Sequence, residues 1–117
     1  MPDMKTKFFG RSKRSLDSKH RFTVPHLLRK YLADGALFLL FNPEDQGKGV
    51  QAYSTESTDV LPAEKFEFLF CAELDGQGRI VIPPDIFKAL FKGYEWVLIR
   101  GLKDHCEITP THEAPID

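Results

Sequence analysis

The chain has 117 residues, with 16 Lys and Arg against 17 Asp and Glu, so its formal net charge is -1. This length suits one domain and excludes a large multidomain enzyme, because domains usually comprise roughly 100 to 200 residues. A hydrophobic fraction of 42% with 28% charged residues is also too apolar for a disordered chain. We therefore expect one folded domain over residues 1–117.

The apolar segments of the sequence are short. The longest apolar run, Ala36 to Phe41, falls far below the roughly 20 residues that a transmembrane helix needs. The N-terminal residues lack the apolar stretch and the cleavage site of a secretory signal. These features predict a cytoplasmic protein, in which Cys71 and Cys106 are reduced rather than joined in a disulfide.

The near-neutral charge conceals a basic segment. Residues 5–30 carry nine basic side chains against Asp17 alone, so this segment sums to +8 and the remainder to -9. The basic residues are Lys5, Lys7, Arg11, Lys13, Arg14, Lys19, Arg21, Arg29 and Lys30. A block of this kind attracts polyanions over about one Debye length. The basic segment therefore favours a surface that binds nucleic acid. The alternative interpretation is a solvated arm or a surface that docks an acidic partner.

The sequence repeats itself at an offset of 58 residues. The alignment pairs two ten-residue segments, Leu16-Asp17-Ser18-Lys19-His20-Arg21-Phe22-Thr23-Val24-Pro25 and Leu74-Asp75-Gly76-Gln77-Gly78-Arg79-Ile80-Val81-Ile82-Pro83. The same register continues through Gly35 with Gly93 and Leu40 with Leu98. We predict two repeats, at about residues 8–54 and 66–109, joined by a turn-rich linker.

Each repeat begins with a strand that leads into a tight turn. Asp17 and Asp75 open these turns, where a carboxylate can accept hydrogen bonds from backbone N–H groups. Gly78 can adopt a positive φ in the second turn without steric cost. His20 holds the same place in the first turn, where a positive φ would cost about 1 kcal/mol.

A second strand, a helix and a third strand follow each turn. The β-branched and aromatic residues at 22–24 and 80–82 favour strands, and Pro25 and Pro83 stop them and suit the first turn of a helix. Apolar stripes are predicted on the two helices, at Leu27, Leu28, Tyr31 and Leu32 and at Ile86, Phe87, Leu90 and Phe91. Further strands are predicted at Ala36 to Phe41, Val50 to Ser54, Trp96 to Ile99 and Cys106 to Thr109. The expected fold is α+β and β-rich, a pseudo-two-fold barrel of two β-turn-β-helix-β repeats.

These residues resemble the MraZ family. The resemblance rests on Phe8-Phe9-Gly10 and on the paired D-x-x-x-R motifs, Asp17 to Arg21 and Asp75 to Arg79, each followed by an apolar strand and a proline. MraZ proteins are bacterial transcriptional regulators associated with the division and cell-wall gene cluster, and they are built from two fused AbrB-like swapped-hairpin units.

The resemblance implies a DNA-binding protein that acts near the nucleoid. It implies assembly into a homo-oligomer, such as a ring, that reads short tandem sites near its own promoter. The sequence departs from the family in its short linker, in the absence of a C-terminal helix and in His20, which replaces a glycine. The segment with Arg11, Lys13 and Arg14 is also more basic than is usual for the family.

The two Asp–Arg pairs have different predicted roles. In both pairs the carboxylate and the guanidinium can bond each other and hold the turn in shape. Arg79 has few basic neighbours and is interpreted as structural, whereas Arg21 lies in the basic segment and is predicted to contact DNA. Arg29 and Lys30 are interpreted as a solvated helix face. The predicted DNA-binding residues are Arg11, Lys13, Arg14, Lys19 and Arg21, and the predicted structural residues are Asp17, Arg21, Pro25, Asp75, Gly78, Arg79 and Pro83.

Other functions fit the sequence less well. No nucleophile elbow, phosphate loop or G-x-G-x-x-G motif is present, so we expect no enzyme. We expect no metal or other cofactor, because the candidate ligands Cys71, His105, Cys106 and His112 lack the local spacing of zinc sites. Two alternatives to a DNA-binding regulator stay open. One is an AbrB-like antitoxin or scaffold that docks an acidic partner, and the other is a small-molecule-binding or enzymatic β-barrel.

Overall fold

The structure, a computed structural model, describes residues 10–29, 35–42, 44, 47, 49–55, 68–102 and 105–113. Over these residues the chain forms eight strands, with short helices after the second and sixth. The strands are β1 (Arg11–Ser15), β2 (Arg21–Thr23), β3 (Ala36–Phe41), β4 (Val50–Ser54), β5 (Phe68–Glu73), β6 (Arg79–Val81), β7 (Trp96–Gly101) and β8 (Cys106–Thr111). The helices are α1 (His26–Arg29) and α2 (Pro84–Ile86), and α2 continues as a π-helical turn over Phe87–Phe91. The fold is β-rich with short helices, which agrees with the predicted α+β class.

Six strands form one antiparallel sheet in the order β1-β7-β8-β4-β3-β5, and β2 and β6 form a separate two-stranded ribbon. We refer to residues 10–55 as the first half and to residues 68–113 as the second half. β1, β2 and β4 of the first half pair with β7, β6 and β8 of the second, and β5 of the second half pairs with β3 of the first. The halves are therefore interlocked, and neither contains the pairing partners of its own first two strands. Within the described ranges, no helix is long and apolar enough to span a bilayer.

The ribbon lies at the junction of the two halves. Its central pair, Phe22 opposite Ile80, is buried. Beyond the ribbon, the N–H of Val24 donates to the Gly78 carbonyl and the N–H of Ile82 donates to the His20 carbonyl, both at 2.9 Å. Each turn thus receives a hydrogen bond from the strand end of the opposite half.

The apolar core draws on both halves. Burying one Phe, Ile, Leu or Val side chain contributes about 1.5–3 kcal/mol. The core contains Phe22, Val24, Leu37, Leu39, Phe41, Val50 and Ala52 from the first half, and Ile80, Ile82, Ile86, Phe91, Val97, Ile99, Cys106 and Ile108 from the second. Because one cluster contains residues of both halves, each half buries apolar side chains of the other.

Most of the predicted elements are observed. The strands at Ala36–Phe41 and Val50–Ser54 have the predicted bounds, and β7 and β8 extend two residues further than predicted. The apolar stripe of α2 and its π-helical turn is confirmed, because Ile86 and Phe91 are fully buried. The structure does not describe most of the corresponding stripe of the first helix, namely the Leu27 side chain, Tyr31 and Leu32. Most of the linker also lies outside the described residues, as do Lys5, Lys7, Phe8, Phe9 and Lys30.

The sequence indicated that the 58-residue register continues beyond the helices to Leu40 and Leu98. In the structure it ends at the helices. β1 places Ser15 opposite Trp96, whereas β5 places Glu73 opposite Ala36. Trp96 therefore corresponds to Ala36, 60 residues earlier. The second half has two more residues between its motif proline and the next strand, and the π-helical turn, closed by the Lys92 N–H to the Phe87 carbonyl at 3.0 Å, lies in that interval.

The two turns share one backbone shape but differ in the side chain that covers them. His20 has φ 63 and Gly78 has φ 77, so both lie in the left-handed region, as predicted for this position. The His20 ring stacks on Phe87 with a centroid separation of 3.6 Å and an interplanar angle of 8°. Gly78 is covered instead by the Arg29 guanidinium, which occupies the space that a Cβ atom would need. Arg29 is thus half-buried against the second turn, and its interpretation as part of a solvated helix face was wrong.

Replacing Gly78 with alanine tests this close packing. We expect Gly78→Ala to lower the free energy of unfolding by about 1–2 kcal/mol or more, because Ala resists a positive φ and its Cβ displaces Arg29. The measurement is urea denaturation followed by tryptophan fluorescence. Gly76→Ala is the matched control, since it lies in the same turn with open space around its Cα. Equal losses in the two variants would contradict the role of Gly78.

Candidate nucleic-acid interface

The first turn is organised by the carboxylate of Asp17. Its Oδ1 accepts the backbone N–H groups of Lys19 and Arg21, both at 2.9 Å, and its Oδ2 accepts Nε–H of Arg21 at 2.7 Å. The Asp17 backbone N–H also donates to the Arg21 carbonyl at 2.9 Å, and the Asp17 carbonyl accepts the N–H of His20 at 3.0 Å. One side chain therefore fixes both the turn and the direction of the Arg21 guanidinium.

The second turn repeats these contacts. Asp75 Oδ1 accepts the N–H groups of Gln77 at 2.9 Å and Arg79 at 3.0 Å, and Oδ2 accepts Nε–H of Arg79 at 2.8 Å. The backbone N–H of the arginine lowers the pKa of each aspartate below its usual value, burial partly opposes this shift, and the guanidinium adds to it. Both carboxylates are therefore ionised at neutral pH, as a structural role requires.

The ribbon presents both arginines on one face. Arg21 lies opposite Val81 and Thr23 lies opposite Arg79, so these four residues share the face that points away from buried Phe22 and Ile80. Val81 is 50% exposed, which shows that this face is open to solvent. Each bond to aspartate uses one of the five N–H donors of its guanidinium.

The structure separates the three basic residues of β1. Ser12 and Arg14 lie opposite Ile99 and Val97, which are buried, so they lie on the inner face of the sheet. Arg11 and Lys13 alternate with them and lie on the outer face, opposite Arg100 and Leu98. Four of the five predicted DNA-binding residues thus lie on β1 or the ribbon, and Arg14 lies on the opposite side of β1 from its neighbours. The fifth, Lys19, is exposed in the first turn.

Lys13 already has an acidic partner. Its Nζ donates to Glu113 Oε2 at 2.5 Å, and this bond lowers the pKa of Glu113 below its usual value. The Glu113 side chain is 76% exposed, so the pair lies at the protein surface. Nothing in the local sequence indicates this contact, because the two residues are 100 positions apart.

The residues considered as metal ligands lie in different environments. Cys71 is exposed and Cys106 is buried, and both are free thiols, as expected. Burial raises the pKa of Cys106 to about 12, so this thiol stays protonated. His105 stacks on Tyr53 and His112 stacks on Tyr94, with centroid separations of 4.6 and 4.2 Å. These groups therefore have structural contacts of their own.

Comparison with known proteins finds relatives that share one name. No protein-family model matches the chain. A protein of Chlorobium phaeobacteroides strain BS1, named transcriptional regulator MraZ, is 33% identical over 100 aligned positions, which cover 67% of this chain and 67% of that protein. Proteins with the same name from two strains of Dehalococcoides mccartyi, BAV1 and 195, are each 30% identical over 118 aligned positions, which cover 86% of this chain and 80% of the relative.

The lowered pKa values of Asp17 and Asp75 make stability depend on pH. A carboxylate with a lowered folded-state pKa stabilises the fold above its unfolded value, near 3.8, and loses this effect as the pH falls through the folded value. We expect the double variant Asp17→Asn, Asp75→Asn to unfold at a lower urea concentration than the parent at about pH 6. The difference should shrink below about pH 3.8.

Urea midpoints measured from about pH 7 to pH 2 test this expectation. The double variant Glu73→Gln, Asp85→Asn, which removes two exposed carboxylates outside the turns, controls for the change in net charge. A difference that stays constant down to the lowest pH would contradict the role of the two aspartates.

Proposed function

Since the chain belongs to the MraZ family of transcriptional regulators, we propose that it binds duplex DNA and regulates transcription from promoters with short repeated sites. The proposed contacts are Arg11, Lys13, Lys19 and Arg21, whereas Arg14 lies on the other face of β1. The protein acts as a homo-oligomer in the cytoplasm, associated with the nucleoid. Asp17, Pro25, Asp75, Gly78, Arg79 and Pro83 shape the two turns.

The observation that carries this proposal is the outer face of the ribbon. A two-stranded ribbon is narrow enough to enter a major groove about 12 Å wide. Arg21 extends from this face and is held by Asp17, so its guanidinium loses little conformational freedom on binding. A guanidinium can bind a phosphate or form a bidentate contact with guanine O6 and N7. Thr23 and exposed Val81 could contact base edges, including the thymine methyl group.

The outer face of β1 supplies charge next to the turn. Arg11 is exposed and lies opposite Arg100 on β7, and Lys13 lies two residues further along the strand. Basic side chains of this kind neutralise phosphates and fix the register of a protein on DNA, whereas groove contacts determine the sequence. We therefore assign backbone contacts to β1 and base contacts to the ribbon.

The assembly and the repeat architecture belong to the same proposal. One ribbon contacts only a few base pairs, so useful affinity comes from several subunits that engage repeated sites together. β1 and β5 are the outer strands of the sheet and offer edges for contact between copies. We interpret the interlocked halves as a pseudo-two-fold barrel of repeats 8–54 and 66–109 within one domain.

Selection from a random pool of duplexes tests the proposed function, combined with light scattering to measure the mass of the oligomer. We expect enrichment of direct repeats by an assembly of several subunits. A protein that enriches no sequence would contradict the proposal and favour a module that docks an acidic protein.

A comparison of Arg21 with Arg79 tests the proposed contact. We expect Arg21→Ala to weaken binding to a selected duplex by about 1–3 kcal/mol and to reduce its salt dependence, because a charged contact with DNA is lost. Arg79→Ala is the matched control, since Arg79 has the same hydrogen bonds in the second turn. Fluorescence anisotropy at several salt concentrations measures both affinities. Equal losses in the two variants would contradict the assignment of Arg21 as the main contact.

Glu113 should weaken DNA binding, because it occupies Lys13 and adds a negative charge beside β1. We expect Glu113→Gln to raise the affinity for the selected duplex a few-fold at low salt, with a smaller gain at high salt. Glu73→Gln changes the net charge equally at the opposite edge of the sheet and serves as the control. If both variants bind alike, the Lys13–Glu113 pair does not affect the interface.

A further inference from the structure

Arg14 lies in a groove that the DNA-contact assignment does not explain. The groove has a volume of about 280 Å³ and runs between the start of β1, the end of β7 and the start of α1. Leu28 and Ile99 are apolar residues of its lining, and Ser12, Arg14 and His26 supply its polar side chains. No Asp or Glu lines it among the residues that the structure describes. The groove is therefore cationic.

The guanidinium of Arg14 is poorly satisfied. Its Nε is shielded from solvent and makes no hydrogen bond within the described part of the chain. Its Nη1 donates to the Lys13 carbonyl at 3.5 Å, which is long for a hydrogen bond. A shielded donor without a partner is unfavourable by about 1–3 kcal/mol, so it favours binding of an acceptor.

We propose that this groove binds a phosphate group. Arg14 supplies the positive charge on the inner face of β1, and the Ser12 hydroxyl and the His26 ring add further donors. At about 280 Å³ the groove is large enough to admit a phosphate group. The phosphate belongs either to the backbone of bound DNA or to a small phosphorylated molecule. The proposal rests on the groove itself, and DNA binding decides only between these two sources.

Titration with inorganic phosphate tests the groove directly. The full-length protein is kept in a phosphate-free buffer at constant ionic strength, and backbone amide chemical shifts are followed by NMR. We expect saturable shifts at Gly10, Ser12 and His26. Arg14→Gln should weaken phosphate binding by about tenfold or more, because a charge-assisted bond is lost.

Arg100→Gln is the matched control. It removes the same charge from β7, where Arg100 binds Glu107 at 3.2 Å outside the groove, and it should leave phosphate affinity unchanged. Arg14→Lys keeps the positive charge and should recover part of the affinity. The amide spectrum of each variant reports whether it is folded, and the titration of the parent protein tests the site even if a variant unfolds.

The results separate this site from the proposed function. Absence of saturable shifts, an adventitious surface ion that shifts other residues only, or unchanged affinity in Arg14→Gln would overturn the proposal even if the duplex binds. Saturable phosphate binding supports it even if no duplex binds. If duplex competes with phosphate and Arg14→Gln also weakens duplex binding, the phosphate is that of the DNA backbone. If phosphate binds equally to the DNA complex, the site accepts a small phosphorylated molecule.

Discussion

The exchange of hydrogen bonds across the β2–β6 ribbon is the constraint on which the rest of the structure depends. Val24 and Ile82 each donate to the turn of the opposite half, and Phe22 and Ile80 are buried beneath the ribbon. These hydrogen bonds between the halves fix the relative position of the two Asp–Arg turns and leave Arg21 and Arg79 on one open face of the ribbon. The arrangement of the arginines is thus a consequence of how the two halves fold together.

Electrostatics distinguishes parts of the molecule that the backbone makes similar. The turns of Asp17 and Asp75 have equivalent hydrogen bonds, so backbone geometry gives no reason for only one of them to contact DNA. The difference lies in the neighbouring residues, because Lys19 flanks the first motif and Gln77 takes the same place in the second. Glu113 modifies this difference from a distant part of the chain.

The sequence predicted the elements better than their contacts. Asp, Arg, Pro and Gly at fixed positions require particular backbone shapes, so the turns and the strands beside them could be recognised from residue types alone. The change of register from 58 to 60 residues could not, because the π-helical turn lies in a segment with an ordinary apolar pattern. The separation of Lys13 from Arg14 follows from the two-residue period of a strand, but which of them faces outward depends on the pairing of β1 with β7. The Arg29 contact with Gly78 depends on tertiary packing.

The different covers of the two turns make the halves specific for each other. His20 of the first half stacks on Phe87, and Gly78 of the second half leaves space for Arg29. If two copies of the first half paired, His20 would meet Arg29 where only a glycine leaves room. If two copies of the second half paired, Gly78 would offer no ring to Phe87. Side-chain shape therefore disfavours self-pairing of either half and favours the mixed pair, which keeps the basic segment and the acidic remainder of the chain in one fold.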